Sequence, residues 1–168
     1  FVLSLGGSLV VPNGGIDTQF LIKFNTFIRN QISSKKRRFF IVVGGGATTR
    51  HYQAAARAVH GSIENEDLDW IGIHATRLNA HLLRVIFKDI AYSHVLKHYE
   101  IIRKASEPVV VAGGWKPGWS TDYCAITICQ DYGIQNILNL TNVDQVYDKD
   151  PKQYPDSKQL IQTSWKKY

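Results

Sequence analysis

Methionine is absent from all 168 residues, cysteine occurs only twice and proline five times. With no methionine there is no start residue, and Phe1-Val2-Leu3-Ser4-Leu5 reads as a strand entered directly, without a basic leader or a long apolar run. We therefore expect a chain trimmed at its N-terminus. The longest apolar stretches, such as Phe39–Val43 and Pro108–Ala112, fall far short of the roughly 20 residues that span a bilayer, so no membrane partner is expected. Cys124 and Cys129 stand five apart in an apolar, helix-like stretch, which points them in different directions and excludes a bond between them. There is no CxxC, and the six histidines show no metal spacing. Inert thiols in a reducing, cytoplasmic compartment are the expectation.

A surplus of one charge is also scarce once it is located. Lysine and arginine number 20 against 14 acids, but Lys35-Lys36-Arg37-Arg38 and Lys166-Lys167 account for the whole excess. A basic run just before an apolar strand reads as a solvated helix-to-strand turn, not a binding face. With no zinc-finger, RNA-recognition or homeodomain pattern, no nucleic-acid partner is expected. The single-turn signatures fail as well. There is no GxxxxGK[ST], no complete GxGxxG with its following acid, no HRD or DFG set and no GxSxG. These absences exclude a P-loop NTPase, disfavour a dinucleotide dehydrogenase, and remove protein kinases and serine hydrolases.

What is present is alternation. Apolar runs Phe1–Leu5, Phe39–Val43, Pro108–Ala112 and Gln135–Leu140 read as strands, the first three ending in glycines and the fourth at Thr141-Asn142. Between them lie helical patterns. One starts at an Asp17 N-cap with Phe20, Leu21, Phe24, Phe27, Ile28 and Ile32 on its buried face. A second runs from about Thr48 to Val59, and after a loop over Gly61–Asp67 a third buries Trp70, Ile71, Ala75, Leu78, Leu82 and Ile86. A short strand and a helix are expected between Lys88 and Ala105, and a last helix over Thr121–Asp131. Strand, turn and helix in repetition predict an α/β fold, a three-layer α/β/α sandwich with an open, mainly parallel sheet. In such sheets ligands collect beyond the carboxyl ends of the strands. Four polar or glycine-rich turns there predict a long polyanionic ligand, or two ligands end to end.

Taken in order, "LSLGGSLV", "VVGGGATTRHY", "DLDWIGIHATRLNAHLL", "VAGGWKPGWSTD" and "NLTNVDQVYDKDP" resemble the amino acid kinase superfamily, and within it the archaeal-type uridylate (UMP) kinases. The resemblance runs from Phe1 to about Trp165. It implies a single amino acid kinase domain over 1–168, lacking the C-terminal part of the nucleotide-binding lobe. It also implies transfer of the ATP γ-phosphoryl group to UMP with Mg²⁺, and a homo-oligomer, a hexamer built from dimers.

By the same resemblance Gly6, Gly7 and Ser8 would cradle the transferring phosphate through their amides. Gly45 would face UMP, Gly46 the ATP phosphates, and Arg50 would supply a fixed cation. Asp69 and the loop Trp115, Lys116, Pro117, Gly118, Trp119, Ser120 and Thr121 would hold the acceptor. Thr141, Asn142, Tyr147 and Asp150 would hold adenine and ribose, and Asp122 would orient a catalytic cation or coordinate magnesium. Arg77 and Asn79 fall on the family's "TRxNA", where contact with the acceptor or with a subunit neighbour are both open. The chain departs at Ser4, where many members carry lysine, in the bulky Trp115, Lys116 and Trp119, and at Gln145, where glycine is usual. Charge compensation would then fall to Arg50 or to a lysine such as Lys116. Rival readings are a sister kinase acting on isopentenyl phosphate or a small carboxylate such as acetylglutamate or aspartate, and a non-catalytic nucleotide- or anion-binding homologue.

Overall fold

The computed structural model describes residues 1–13, 15–100, 104–143, 147–149 and 154–161. Four strands, β1 (Val2–Leu5), β2 (Phe39–Val43), β3 (Val109–Ala112) and β4 (Ile137–Leu140), form one sheet in the order β3-β2-β1-β4, every pair parallel. Their apolar side chains alternate between two cores, as a strand's period of two requires. Leu3, Leu5, Ile41, Val43, Val109 and Val111 face one layer; Val2, Val42, Val110 and Ala112 face the other. The first layer is built by α2 (Thr18–Lys35) and α4 (Asn65–Ile86), joined at its edge by the single turn α1 (Gly7–Val10) and by α3 (Gly46–Val59). The second is α5 (Thr121–Asp131), packed through Cys124, Ala125 and Ile128. The three-layer reading holds.

Local signals placed most of these elements. The Asp17 carboxylate accepts the Phe20 amide at 2.9 Å, and the Ser120 hydroxyl accepts that of Tyr123 at 3.1 Å, each cap contributing about 1 kcal/mol. The basic run is the expected turn, with Lys36 closing α2 in the left-handed conformation at φ 50°. No helix among the described residues is long and apolar enough to cross a membrane. Cys124 is buried and Cys129 half-buried, both free thiols whose pKa burial pushes up.

Three expectations need correction. Phe27 is 51% exposed because it lies roughly 90° around α2 from Leu21, Phe24 and Ile28, at the rim of the buried arc. The stretch 88–100 forms no strand or helix; it runs along the outer edge of β3, bridging Ala91 to Val109 and Leu96 to Ala112, and so covers an edge that would otherwise be open. Helix α4 begins at Asn65, inside the expected loop, and is rotated from the predicted face. Leu68, Ile73, Ala75, Thr76, Asn79, Ala80 and Leu83 are buried, whereas Trp70 and Leu78 are exposed. Polar residues sit inside α4 because its middle faces backbone turns, not apolar side chains.

Candidate functional site

Strands β1 and β2 end level, with Leu5 opposite Val43, and the two glycine turns that follow meet backbone to backbone. A Cβ on Gly7 would lie 2.2 Å from the Gly46 nitrogen and 2.5 Å from the Gly44 carbonyl carbon. Gly46, at φ 63°, would in turn carry its Cβ 2.3 Å from the Gly7 oxygen. Only two glycines permit this approach. The contact brings the start of α1 and the start of α3 to one point, where leading amides have no acceptor within their own helices. Arg50, one turn into α3, reaches the same point; its Nη1 lies 3.3 Å from the Ser8 hydroxyl. Amides and one cation converging in this way suit a phosphate.

Gly6 differs from expectation. Its amide donates to the Leu140 carbonyl at 2.8 Å, continuing the β1–β4 ladder, so it braces the turn and is not available to a ligand.

A second feature follows from topology. The loop after β2 leads to α3 and α4 on one face of the sheet, while the loop after β3 leads to α5 on the other. Neighbouring strands whose connections leave in opposite directions open a crevice between their ends. Here it is a cleft of about 290 Å³, with Gly45, Thr49 and Gln53 along α3, Asp69, Gly72, Ile73 and Thr76 along α4, and Gly114, Trp119, Ser120 and Thr121 opposite. Gly45 has no room for a side chain, since a Cβ would meet the Thr49 hydroxyl at 1.9 Å. Asp69 stands at the mouth, one carboxylate oxygen accepting the Gly118 amide at 2.8 Å.

Helix α4 holds both turns in place. The Asn79 amide donates to the carbonyls of Gly44 and Gly45 at 2.8 and 3.2 Å. The Thr76 hydroxyl accepts the Gly114 amide at 2.7 Å, and Arg77 donates to the carbonyls of Gly114 and Trp115 at 3.0 and 2.9 Å. Burial pulls the Arg77 pKa below its usual value. The buried Tyr99 hydroxyl completes the brace at 2.6 Å from the Gly113 carbonyl, and burial raises its pKa well above that of a free phenol, so it remains a donor. Arg77 and Asn79 thus serve the protein's own turns. Removing the Asn79 amide should cost about 1–3 kcal/mol, because two buried carbonyls lose their donor; chemical denaturation of Asn79→Ala measures it.

Deep to the glycine turns, Ser4 points to the α5 side of β1 and donates to Asp122 Oδ1 at 2.5 Å. Asp122 therefore takes a hydroxyl, not a cation, as its partner in this chain. Lys116 does not replace the missing lysine. Its Nζ lies over the rings of Trp115 and Trp119, 4.2 and 4.6 Å from their centres.

The structure brings Gly7, Ser8, Gly46 and Arg50 together at the β1–β2 junction, and Gly45, Asp69, Trp119, Ser120 and Thr121 in the adjoining cleft. Trp115, Lys116, Pro117 and Gly118 are not part of the cleft wall. Trp115 packs against the second core beside Tyr99, and Gly118 turns the loop at φ 78°. The amides of Gly113, Gly114, Gly118 and Trp119 are bonded within the protein, so this third turn is no amide cradle. Thr141 and Asn142 are exposed just past β4, and Tyr147 bridges to Gln159. Asp150 and Gln145 lie outside the described residues. Thr49, Gln53, Gly72, Ile73 and Thr76 were missed. Thr49 and Gln53 stand at i+4 and i+8 from Gly45, and Gly72, Ile73 and Thr76 at i+3, i+4 and i+7 from Asp69, so helical spacing from those two picks would have found them.

Open parallel sheet, interlocked glycine turns and a switch-point cleft define an α/β domain with a crevice at its strand ends. The family model described as "Amino acid kinase family" matches residues 1–168, and the chain belongs to that family. It is 41% identical over 100 residues to a uridylate kinase of Sulfurisphaera tokodaii, covering 58% of this chain and 44% of that protein. It is 38% identical over 160 residues to a uridylate kinase of Thermoplasma volcanium, covering 95% of this chain and 68% of that one. The crystal structure of a uridylate kinase from Archaeoglobus fulgidus superposes with a TM-score of 0.69 at 35% identity, over 93% of this chain and 70% of that chain.

Proposed function

We propose that this chain carries the phosphoryl-transfer site of a UMP kinase, moving the ATP γ-phosphoryl group onto UMP to give UDP and ADP. The observation that carries this reading is the Gly7–Gly46 contact: it makes one wall common to the cation-bearing turn and to the cleft that ends at Asp69. The uridylate kinase likeness over nearly the whole chain supports the choice of acceptor.

The chemistry asks for little beyond alignment and charge neutralisation. The nucleophile is a phosphate oxygen of UMP, already largely ionised at neutral pH with a second pKa of about 6. No side chain need remove a proton. One P–O bond forms to that oxygen as the bond from the γ-phosphorus to the ADP oxygen breaks, and ADP leaves with the electron pair. The Gly45 amide faces UMP; the amides of Gly7, Ser8 and Gly46 face the ATP phosphates, and Arg50 lies against the oxygens between them. Asp69 accepts from the acceptor ribose, and Ser120 and Thr121 close the phosphate end. Thr141, Asn142, Tyr147 and Asp150 hold adenosine.

No cluster of three or more metal-binding side chains exists among the described residues. Mg²⁺ binds through substrate phosphates and one or two carboxylates, so an ion arriving with ATP would be held by Asp122. Held there, the ion would supply neutralisation of charge on the phosphate oxygens. Ser4 keeps Asp122 aimed. Ser4→Ala should therefore weaken the apparent Mg²⁺ affinity, read by titrating the ion at fixed ATP, while Ser4→Thr restores it.

Measuring ADP release with UMP, CMP, isopentenyl phosphate and acetylglutamate tests the reading. Turnover with UMP supports it; turnover only with one of the last two makes the chain a sister kinase, and ATP binding without turnover makes it a binding homologue. Asp69→Asn should raise the UMP KM roughly tenfold or more and the ATP KM far less, since a charged acceptor on a hydroxyl contributes about 1.5–3 kcal/mol. The reverse pattern would exchange the two pockets.

A homo-oligomer is part of the proposal. Trp70, Leu78 and Val85 are exposed on one side of α4, a surface that a second copy would cover. Two free thiols suit a cytoplasmic protein.

A further inference from the structure

Gln53 lines the cleft but plays no part in the reaction as described. Its side-chain nitrogen donates to the Leu68 carbonyl at 2.8 Å, which decides the orientation of the amide: a carbonyl partner can only take the NH₂ end. The oxygen end accepts nothing from the described residues, and the residue belongs to the cleft wall. Leu68 is the neighbour of Asp69, so the anchor for this amide adjoins the carboxylate assigned to the ribose. A base attached to that ribose comes within the same end of the cleft. The same end offers one aromatic wall among its lining residues. Trp119 is held edge-on between Trp115 at 4.8 Å and Tyr123 at 4.4 Å, with interplanar angles of 82° and 88°.

We propose that Gln53 selects the base of the acceptor nucleotide, its Oε1 accepting the N3–H of a uracil lying against Trp119. The proposal rests on the UMP-acceptor reading above. Uracil carries a hydrogen at N3, whereas cytosine carries a lone pair there. An oxygen that cannot be exchanged for the nitrogen, because Leu68 holds the nitrogen, faces that lone pair oxygen to lone pair. An amide free to flip would accept both bases. Gln53 is therefore a specificity-determining residue, and Leu68 contributes through its backbone alone.

The test compares binding and steady-state kinetics for UMP, CMP and 3-methyl-UMP in the unaltered chain, in Gln53→Leu and in Gln53→Ala. The unaltered chain should prefer UMP over CMP by roughly tenfold or more, the range expected when a buried acceptor is left unpaired. Gln53→Leu should raise the UMP Kd and KM and leave those for CMP nearly as they were, so that the preference collapses. 3-Methyl-UMP should bind poorly to the unaltered chain, and Gln53→Ala should recover it by removing the opposing amide. A preference for UMP that survives Gln53→Leu overturns the assignment of Gln53 and leaves the kinase reading standing. Failure of the unaltered chain to bind UMP at all overturns both, and tight binding of 3-methyl-UMP to the unaltered chain overturns the N3–H contact without any substitution.

Discussion

Arg50→Ala is expected to lower kcat for UMP phosphorylation at least 100-fold. The guanidinium is exposed and reaches the Ser8 hydroxyl at the point where the β1 and β2 turns meet. The ion pairs among the described residues, Arg29–Asp89 and Lys149–Asp156, lie elsewhere, so no carboxylate competes for it. A donor aimed at charge that develops in the transition state contributes about 3 kcal/mol, a factor above 100 in rate. The absence of a lysine at position 4 and the seating of Lys116 over two indoles leave Arg50 as the cation the described residues offer at this junction. Arg50→Lys tells charge from shape. A lysine keeps a point charge but loses the planar fork, so partial recovery is expected. Turnover unchanged in Arg50→Ala would remove the residue from the site.

The second large effect is structural and catalytic at once. Gly7→Ala should lower thermal stability by about 3 kcal/mol or more, and abolish turnover in whatever fraction still folds. The added methyl carbon would meet the Gly46 nitrogen at 2.2 Å and the Gly44 carbonyl at 2.5–2.6 Å, all of it backbone. No rotamer relieves that overlap; the β1 and β2 turns must move apart, and overpacking without an escape route costs at or above the usual 1–3 kcal/mol. For a chain of this length the melting temperature should fall by roughly 6–12 °C. Gly61→Ala is the control, because nothing lies within 4 Å of its Cβ position and its backbone is not left-handed, so its melting temperature should be nearly unchanged. A Gly7→Ala chain that melts with the Gly61→Ala chain would show that the two turns are not in contact.

The site was legible to different depths. The glycines after β1 and β2 stand on the rim where the strand-end argument puts them, while Arg50 one turn into α3 and Asp69 in α4 were picked through the family resemblance and lie beside them. The loop after β3 was legible as a position but not as chemistry. Its glycines suggested a third amide cradle, whereas Thr76, Leu96, Asp69 and Lys116 take the amides of Gly114, Gly113, Gly118 and Trp119. The face of α4 was misread for a related reason. Periodicity assigns apolar residues to the interior, and here Thr76 and Asn79 are inside because bare carbonyls and amides of the turns need partners there.

From its residues alone the chain determines four strands, the helices that α2, α3 and α5 became, their caps and the edge of the sheet where ligands gather. Each of those follows from neighbours in sequence: a period of two or of 3.6, an Asp or Ser before a helix, a glycine after a strand. Tertiary structure alone decided that Ser4 and Asp122, 118 positions apart, share a hydrogen bond, that Gly7 and Gly46 touch, and that Gln53 turns its oxygen end free by tying its nitrogen to Leu68. A hydrogen bond between distant residues leaves no period in the sequence; it exists only once the sheet has set which strand ends stand side by side.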